Sequence, residues 1–160
     1  MRTRRETCIQ IAAWTAAFVT PVSAQRQGRQ NDGELTIPFD FAADRGSLLV
    51  HARVDNRPAL LIIDTGSSHT VLRPSAVGMS AAELVAPQIS GGFIGDAVGR
   101  EVTLEVGQRR WQRRRVAVMD LSQTLSVYRE RIDGLLGLDV LLEFSQAVIH
   151  FKNRTVTLIR

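Results

Sequence analysis

The sequence predicts an all-β domain carrying one short helix near its C terminus. Three observations lead there. Apolar residues recur with period two in short runs, Gly, Asn, Asp and Pro turn signals separate the runs, and only two stretches show helical spacing. The 160 residues allow one domain, and 44% hydrophobic with 22% charged residues is an ordinary globular balance, which excludes a disordered or fibrous chain. No apolar run reaches the ~18–20 residues of a membrane-crossing helix, and no repeat of ~20–50 residues marks a solenoid or propeller.

Residues 1–24 read as a secretory signal outside the fold. Arg2, Arg4 and Arg5 give a basic start, Cys8 to Val22 is mostly apolar, Pro21 breaks a helix, and Val22-Ser23-Ala24 precedes a cleavage point. The expectation is an exported protein, periplasmic or secreted; left uncleaved, the segment would give weak membrane association. Both Sec and twin-arginine routes stay open, since Thr3-Arg4-Arg5 is followed by polar Thr7. Without the signal the net charge drops from +4 to +2 and Cys8 is lost, which removes disulfides and thiol chemistry.

Residues 25–33 (QRQGRQNDG) are polar and without period, a flexible lead into a folded unit over 34–160. Leu35 to Phe41 alternates as a strand, with Pro38 demoting it to an edge. Ser47 to Val54 and Ala59 to Ile63 form a hairpin around Asp55-Asn56-Arg57-Pro58. Glu101 to Val106 and Trp111 to Met119 form another, turning at Gly107-Gln108, and Ala147 to Phe151 with Thr155 to Ile159 a third. Helical spacing covers Pro74 to Val85 loosely, and Leu138 to Phe144, where Leu138, Leu141 and Leu142 share a face.

The chemistry concentrates in Leu60-Leu61-Ile62-Ile63-Asp64-Thr65-Gly66-Ser67-Ser68. Four large apolar residues in succession read as a strand buried on both faces. A carboxylate straight after such a strand costs several kcal/mol unless it is hydrogen-bonded or paired. By itself Asp-Thr-Gly is better read as a turn, its Asp capping the next amides. Two further segments shift that balance: Ile89-Ser90-Gly91-Gly92-Phe93-Ile94-Gly95, and Ile132-Asp133-Gly134-Leu135-Leu136-Gly137-Leu138-Asp139, an apolar strand ending in glycine and entering a helix.

In that order and spacing, over Ser47 to Ile159, the chain resembles the single-domain, retroviral-type (retropepsin-like) aspartic proteases, the bacterial exported or membrane-linked members more than the retroviral ones. The resemblance implies an acid-protease barrel, active as a homodimer on a peptide or protein substrate, with no cofactor and no metal. It makes Asp64 the catalytic aspartate, with Thr65 bonding across a two-fold axis and Gly66 admitting the substrate backbone. Ser67, Ser68, Gly91, Gly92 and Phe93 would contact substrate, the last three as a flap, and Gly137 and Asp139 would support the active-site loop. Two residues depart from the family: Ser68 stands in place of an acid and Leu138 in place of an arginine that pairs with it. Their joint loss leaves no unpaired buried charge.

Other chemistries find less support. His51, His69 and His150 lack metal-ligand spacing, no Gly-x-Ser-x-Gly occurs, and no glycine motif opens a helix for phosphate. Arg109-Arg110-Trp111-Gln112-Arg113-Arg114-Arg115 reads as the solvated start of a hairpin strand, not a nucleic-acid site. Two alternatives remain: a peptide- or partner-binding module on a retained protease fold, and an interaction protein using the arginine run on an anionic surface.

Overall fold

The computed structural model describes residues 33–43, 46–84 and 97–160. The expected signal at 1–24, nearly all of the expected flexible segment at 25–33, and Gly91, Gly92 and Phe93 lie outside the described residues. The strands are β1 (Glu34–Pro38), β2 (Asp40–Phe41), β3 (Leu48–Val54), β4 (Arg57–Ile63), β5 (Val71–Leu72), β6 (Val98–Val106), β7 (Arg109–Val118), β8 (Gly134–Leu136), β9 (Gln146–His150) and β10 (Thr155–Ile159), with one helix, α1 (Leu138–Leu141).

Six strands close into a ring, β3-β4-β8-β5-β7-β6, because β6 pairs back onto β3 at Ala52 to Val54. The interior is filled by alternate residues of each strand, among them Val50, Leu61, Leu104, Val116 and Leu136. Burying one such side chain stabilises the fold by about 1.5–3 kcal/mol. Strand β4 is apolar on both faces for a visible reason. Leu61 and Ile63 face this interior, while Leu60 and Ile62 face a second cluster outside the ring with Leu49, Leu121, Leu125 and Ile132. The β3–β4 hairpin is tighter than the sequence suggests. Asp55 and Asn56, at φ 47° and 65°, make the turn alone, since Arg57 and Pro58 already pair with Val54 and Arg53. Such a two-residue turn matches the twist of the strands it joins.

Strand β8 is inserted between two earlier strands. It runs parallel to β4 (Leu61 opposite Gly134, Ile63 opposite Leu136) and antiparallel to β5 (Val71 opposite Leu135). Gly134 allows the fit: a Cβ there would overlap the Val71 carbonyl oxygen and lie 2.8 Å from Leu72 Cδ2.

A second sheet, ordered β1-β10-β9, closes the barrel's end with Leu35, Ile37, Val156 and Leu158. Pro38 ends β1 at the sheet's edge, as its missing amide demands. Thr155 to Ile159, by contrast, is the middle strand, paired on both sides. It offers no open edge to a second chain; among the described residues the free edges of this sheet belong to β1 and β9.

Two helical expectations are corrected. Residues 74–84 hold two 3-10 turns, Pro74–Val77 and Ala81–Leu84, interrupted at Gly78, and Val85 lies outside the described residues. The late helix is one turn long, too short for a Leu138/Leu141/Leu142 stripe: Val140 is its fully buried residue and Leu142 is 75% exposed.

Candidate active site

Asp64 follows β4 directly, in a loop that runs to Thr70. Its amide donates to the Leu136 carbonyl at 3.0 Å, tying the loop's start to β8. Its carboxylate is partly buried, and Oδ1 accepts the Gly66 amide at 2.8 Å. That bond is the turn chemistry an Asp can make in many loops; what sets this loop apart is the support beneath it. Thr65 and Gly66 are exposed at its tip.

The far end of the loop is held by the β8–α1 junction. Thr70 is fully buried, and both its amide and its hydroxyl donate to Asp139 Oδ1 at 2.8 Å. The Gly137 amide donates to Thr70 Oγ1 at 3.3 Å, and the Leu138 amide to the Ser67 carbonyl at 2.8 Å. A Cβ on Gly137 would overlap the backbone of His69, so only glycine lets the two segments meet. The loop is thus fastened at Asp64, Ser67 and Thr70 to one short stretch of chain, Leu136 to Asp139. A charged acceptor such as Asp139 makes each of its bonds worth about 1.5–3 kcal/mol.

The sequence-predicted residues divide accordingly. Asp64, Thr65, Gly66, Ser67, Gly137 and Asp139 come together in one assembly. Ser67 Oγ is spent inside the loop, donating to the His69 carbonyl at 2.7 Å. Ser68 is exposed and lies 2.8 Å from His69 Nδ1. Asp133, the nearest sequence rival to Asp64, is committed to support: its Oδ2 accepts the Leu60 amide at 3.1 Å and its Oδ1 faces Arg131 at 3.5 Å. Sequence reasoning passed over Thr70, a lone threonine before the buried pair Val71-Leu72, although a hydroxyl with no solvent must find a partner.

Asp64 opens onto a cleft of about 430 Å³, whose walls include Leu48, Ile63, Leu125, Val127 and Tyr128. The 120–131 segment forms one wall and is tethered to the start of β3 by Tyr128 Oη and Ser47 Oγ, 2.9 Å apart. Its ends carry carboxylates held below their ordinary range. Glu130 is lowered by its own backbone amide and then by that of Ala43, and Asp120 by the amide and then the hydroxyl of Ser122. A depressed carboxyl contributes above its unfolded pKa and loses that contribution as pH falls. Asp120 is exposed and Glu130 partly so, and these tethers matter locally. Among the described residues no cluster of three or more His, Cys, Asp or Glu could hold a metal ion.

The arginine run lies on β7 and is largely answered within the chain. Arg110 lies 3.4 Å from Glu105, Arg113 donates to Glu101 at 3.1 Å, and Arg114 reaches Asp139 and Glu143.

A family model described as Aspartyl protease matches residues 50–140. No curated protein matches the sequence. Among solved structures, a retropepsin-like aspartic protease from Rickettsia conorii superposes with a TM-score of 0.53 at 20% identity, over 79% of this chain and 90% of that one. The retroviral protease-like domain of Ddi1 from Leishmania major gives 0.45 at 16% identity, over 70% and 87% of the two chains. EIAV protease in an inhibitor complex gives 0.40 at 17%, over 66% and 95%. At these identities the likeness concerns fold, and the first of the three carries it: the barrel is retropepsin-like. The family match spans more than half of the chain and takes in Asp64, its loop and the brace beneath it; this chain belongs to the aspartyl protease family.

Proposed function

We propose that the protein is an aspartic endopeptidase that cleaves peptide bonds with two copies of Asp64, one from each chain of a homodimer. The observation that carries this reading is the Asp64 loop, fastened at three points to Leu136–Asp139 and opening on a cleft large enough for a substrate side chain. A loop fixed this firmly, holding its carboxylate at a cleft mouth, fits a catalytic group better than a capping one.

Shared-proton chemistry of a carboxylate pair is general to aspartic proteases. One carboxylate takes a proton from a water lying between the two, and the water oxygen bonds to the substrate carbonyl carbon. The other carboxyl gives its proton to the carbonyl oxygen. The tetrahedral intermediate then collapses: the C–N bond breaks, and the amine leaves with a proton returned from the dyad. Thr65 and Gly66, exposed at the loop tip, are free of the braced region and available to the partner loop and to substrate.

Cleavage of a random peptide library, inhibited by a statine-type peptide whose hydroxyl imitates the tetrahedral intermediate, tests the reading. The rate should be bell-shaped in pH with its maximum on the acid side of neutrality, because one proton must be shared between two carboxyls. Binding of the statine peptide without cleavage would make the protein a peptide-binding module instead. A rate climbing through alkaline pH would assign the chemistry to another nucleophile.

Half a site per chain also has a concentration signature. Specific activity should fall on dilution, and wild type mixed with Asp64→Asn should lose more activity than the wild-type fraction explains, since mixed dimers carry one carboxylate. A chain monomeric in sedimentation, with undiminished specific activity, would require both carboxylates from one copy.

A further inference from the structure

The arginine run conceals a break in strand phase. Between the pairs Leu104–Trp111 and Val102–Arg114, β6 holds one residue and β7 holds two. The extra residue is Arg113, which adopts the left-handed region at φ 52°, unfavourable for a side chain with a Cβ. Opposite it, Thr103 turns to the β3–β4 hairpin, donating its amide to Asp55 Oδ1 at 2.8 Å and accepting the Asp55 amide at 2.9 Å.

A regular strand sends residues three apart to opposite faces. The bulge puts Trp111 and Arg114 on the same face, and both reach a single carboxylate just beyond α1. Trp111 Nε1 donates to Glu143 Oε2 at 2.8 Å, and Arg114 Nη1 donates to Glu143 Oε1. Arg114 Nη2 donates to the Asp139 carbonyl oxygen and lies 3.4 Å from Asp139 Oδ2. The remaining oxygen of that carboxylate, Oδ1, is the one that holds Thr70. The Arg114 and Asp139 side chains are largely withdrawn from solvent, at 19% and 16% exposure, while Glu143 sits at the surface.

We propose that Arg114 is a positioning residue for Asp64, acting through Asp139. Asp139 and Glu143 bring two carboxylates to one guanidinium. Arg114 lies between them, neutralises both, and its planar fork fixes the α1 backbone and the side-chain oxygens together. With α1 and Asp139 fixed, Thr70 and Ser67 have immobile partners, and the Asp64 loop inherits that placement. The catalytic part of this proposal rests on the peptidase reading; the bracing part does not.

The test compares Arg114→Gln and Arg114→Lys with wild type, as full chains. In Arg114→Gln, amide hydrogen exchange at Thr70 and Leu138 should quicken at least about tenfold while the amides of β10 stay unchanged. In peptide cleavage kcat should fall about tenfold or more with KM within about twofold, since misplacing the reacting group affects the chemical step. Arg114→Lys keeps the charge without the fork and should recover part of kcat; it carries the same comparisons if Arg114→Gln does not fold. Unchanged exchange at Thr70 and Leu138 overturns the proposal, as does a loss of kcat/KM carried wholly by KM. A wild-type chain that cleaves nothing would remove the peptidase reading, and the exchange data would still decide the brace.

Discussion

Replacing Asp64 with asparagine is expected to lower peptide hydrolysis by about 10³-fold or more, the scale of losing a general acid–base group, while the fold stays intact. The reasons lie in separate atoms. Gly66 donates its amide to Asp64 Oδ1, and an asparagine oxygen accepts the same bond. Backbone ties from Asp64 to Leu136 and from Leu138 to Ser67 do not involve the side chain. What asparagine cannot do is take a proton from water or share one with a second carboxyl. In a dimer the substitution also removes repulsion between two close carboxylates, so the thermal midpoint should hold or rise. Turnover retained in a preparation free of wild type would separate Asp64 from the chemistry.

Gly134→Ala should be strongly destabilising for a single added methyl. Glycine to alanine ordinarily stabilises by about 0.4–1 kcal/mol where the backbone permits it. Here the methyl would overlap the Val71 carbonyl oxygen and press on Leu72, and backbone cannot swing aside as a side chain can. The expected cost is about 3 kcal/mol, the upper end of overpacking, which corresponds to a fall of about 10 °C in midpoint for a domain this size. Gly33→Ala is the control, since its methyl meets nothing nearer than Arg160 Cβ at 4.0 Å. A melting curve for Gly134→Ala superimposable on the control would mean that β5 and β8 are not packed as described.

How legible this was in the sequence depended on the range of the interaction. The period-two runs and the double-sided β4 could be read because alternation is local and burial follows it. Gly137 and Asp139 as supports were legible only through the resemblance to retropepsin-like proteases. Val140 taking the place of Leu142 could not be read, because which residue a one-turn helix buries is set by its entry angle at Gly137. The central position of β10 also escaped: edge or middle is decided by a partner, β1, more than a hundred residues away. Arg114 escaped for a third reason. The bulge at Arg113 adds one residue to a run of near-identical arginines, and the phase change is invisible without the opposing strand.

The insertion of β8 has a consequence in time. Its neighbours β4 and β5 end by Leu72, yet β8 begins at Gly134, so a growing chain carries both flanking strands long before the one that joins them exists. Pairings of such long sequence separation form slowly, since loop closure must precede the contacts that reward it. Until residues 134–139 emerge, Leu61 and Val71 are paired on one side only, and the amide of Asp64 and the hydroxyl of Thr70 lack their acceptors. Core and active-site loop are therefore completed by one late event. A nascent or truncated chain holds no assembled Asp64 site, and maturation of the fold and maturation of the chemistry are a single step.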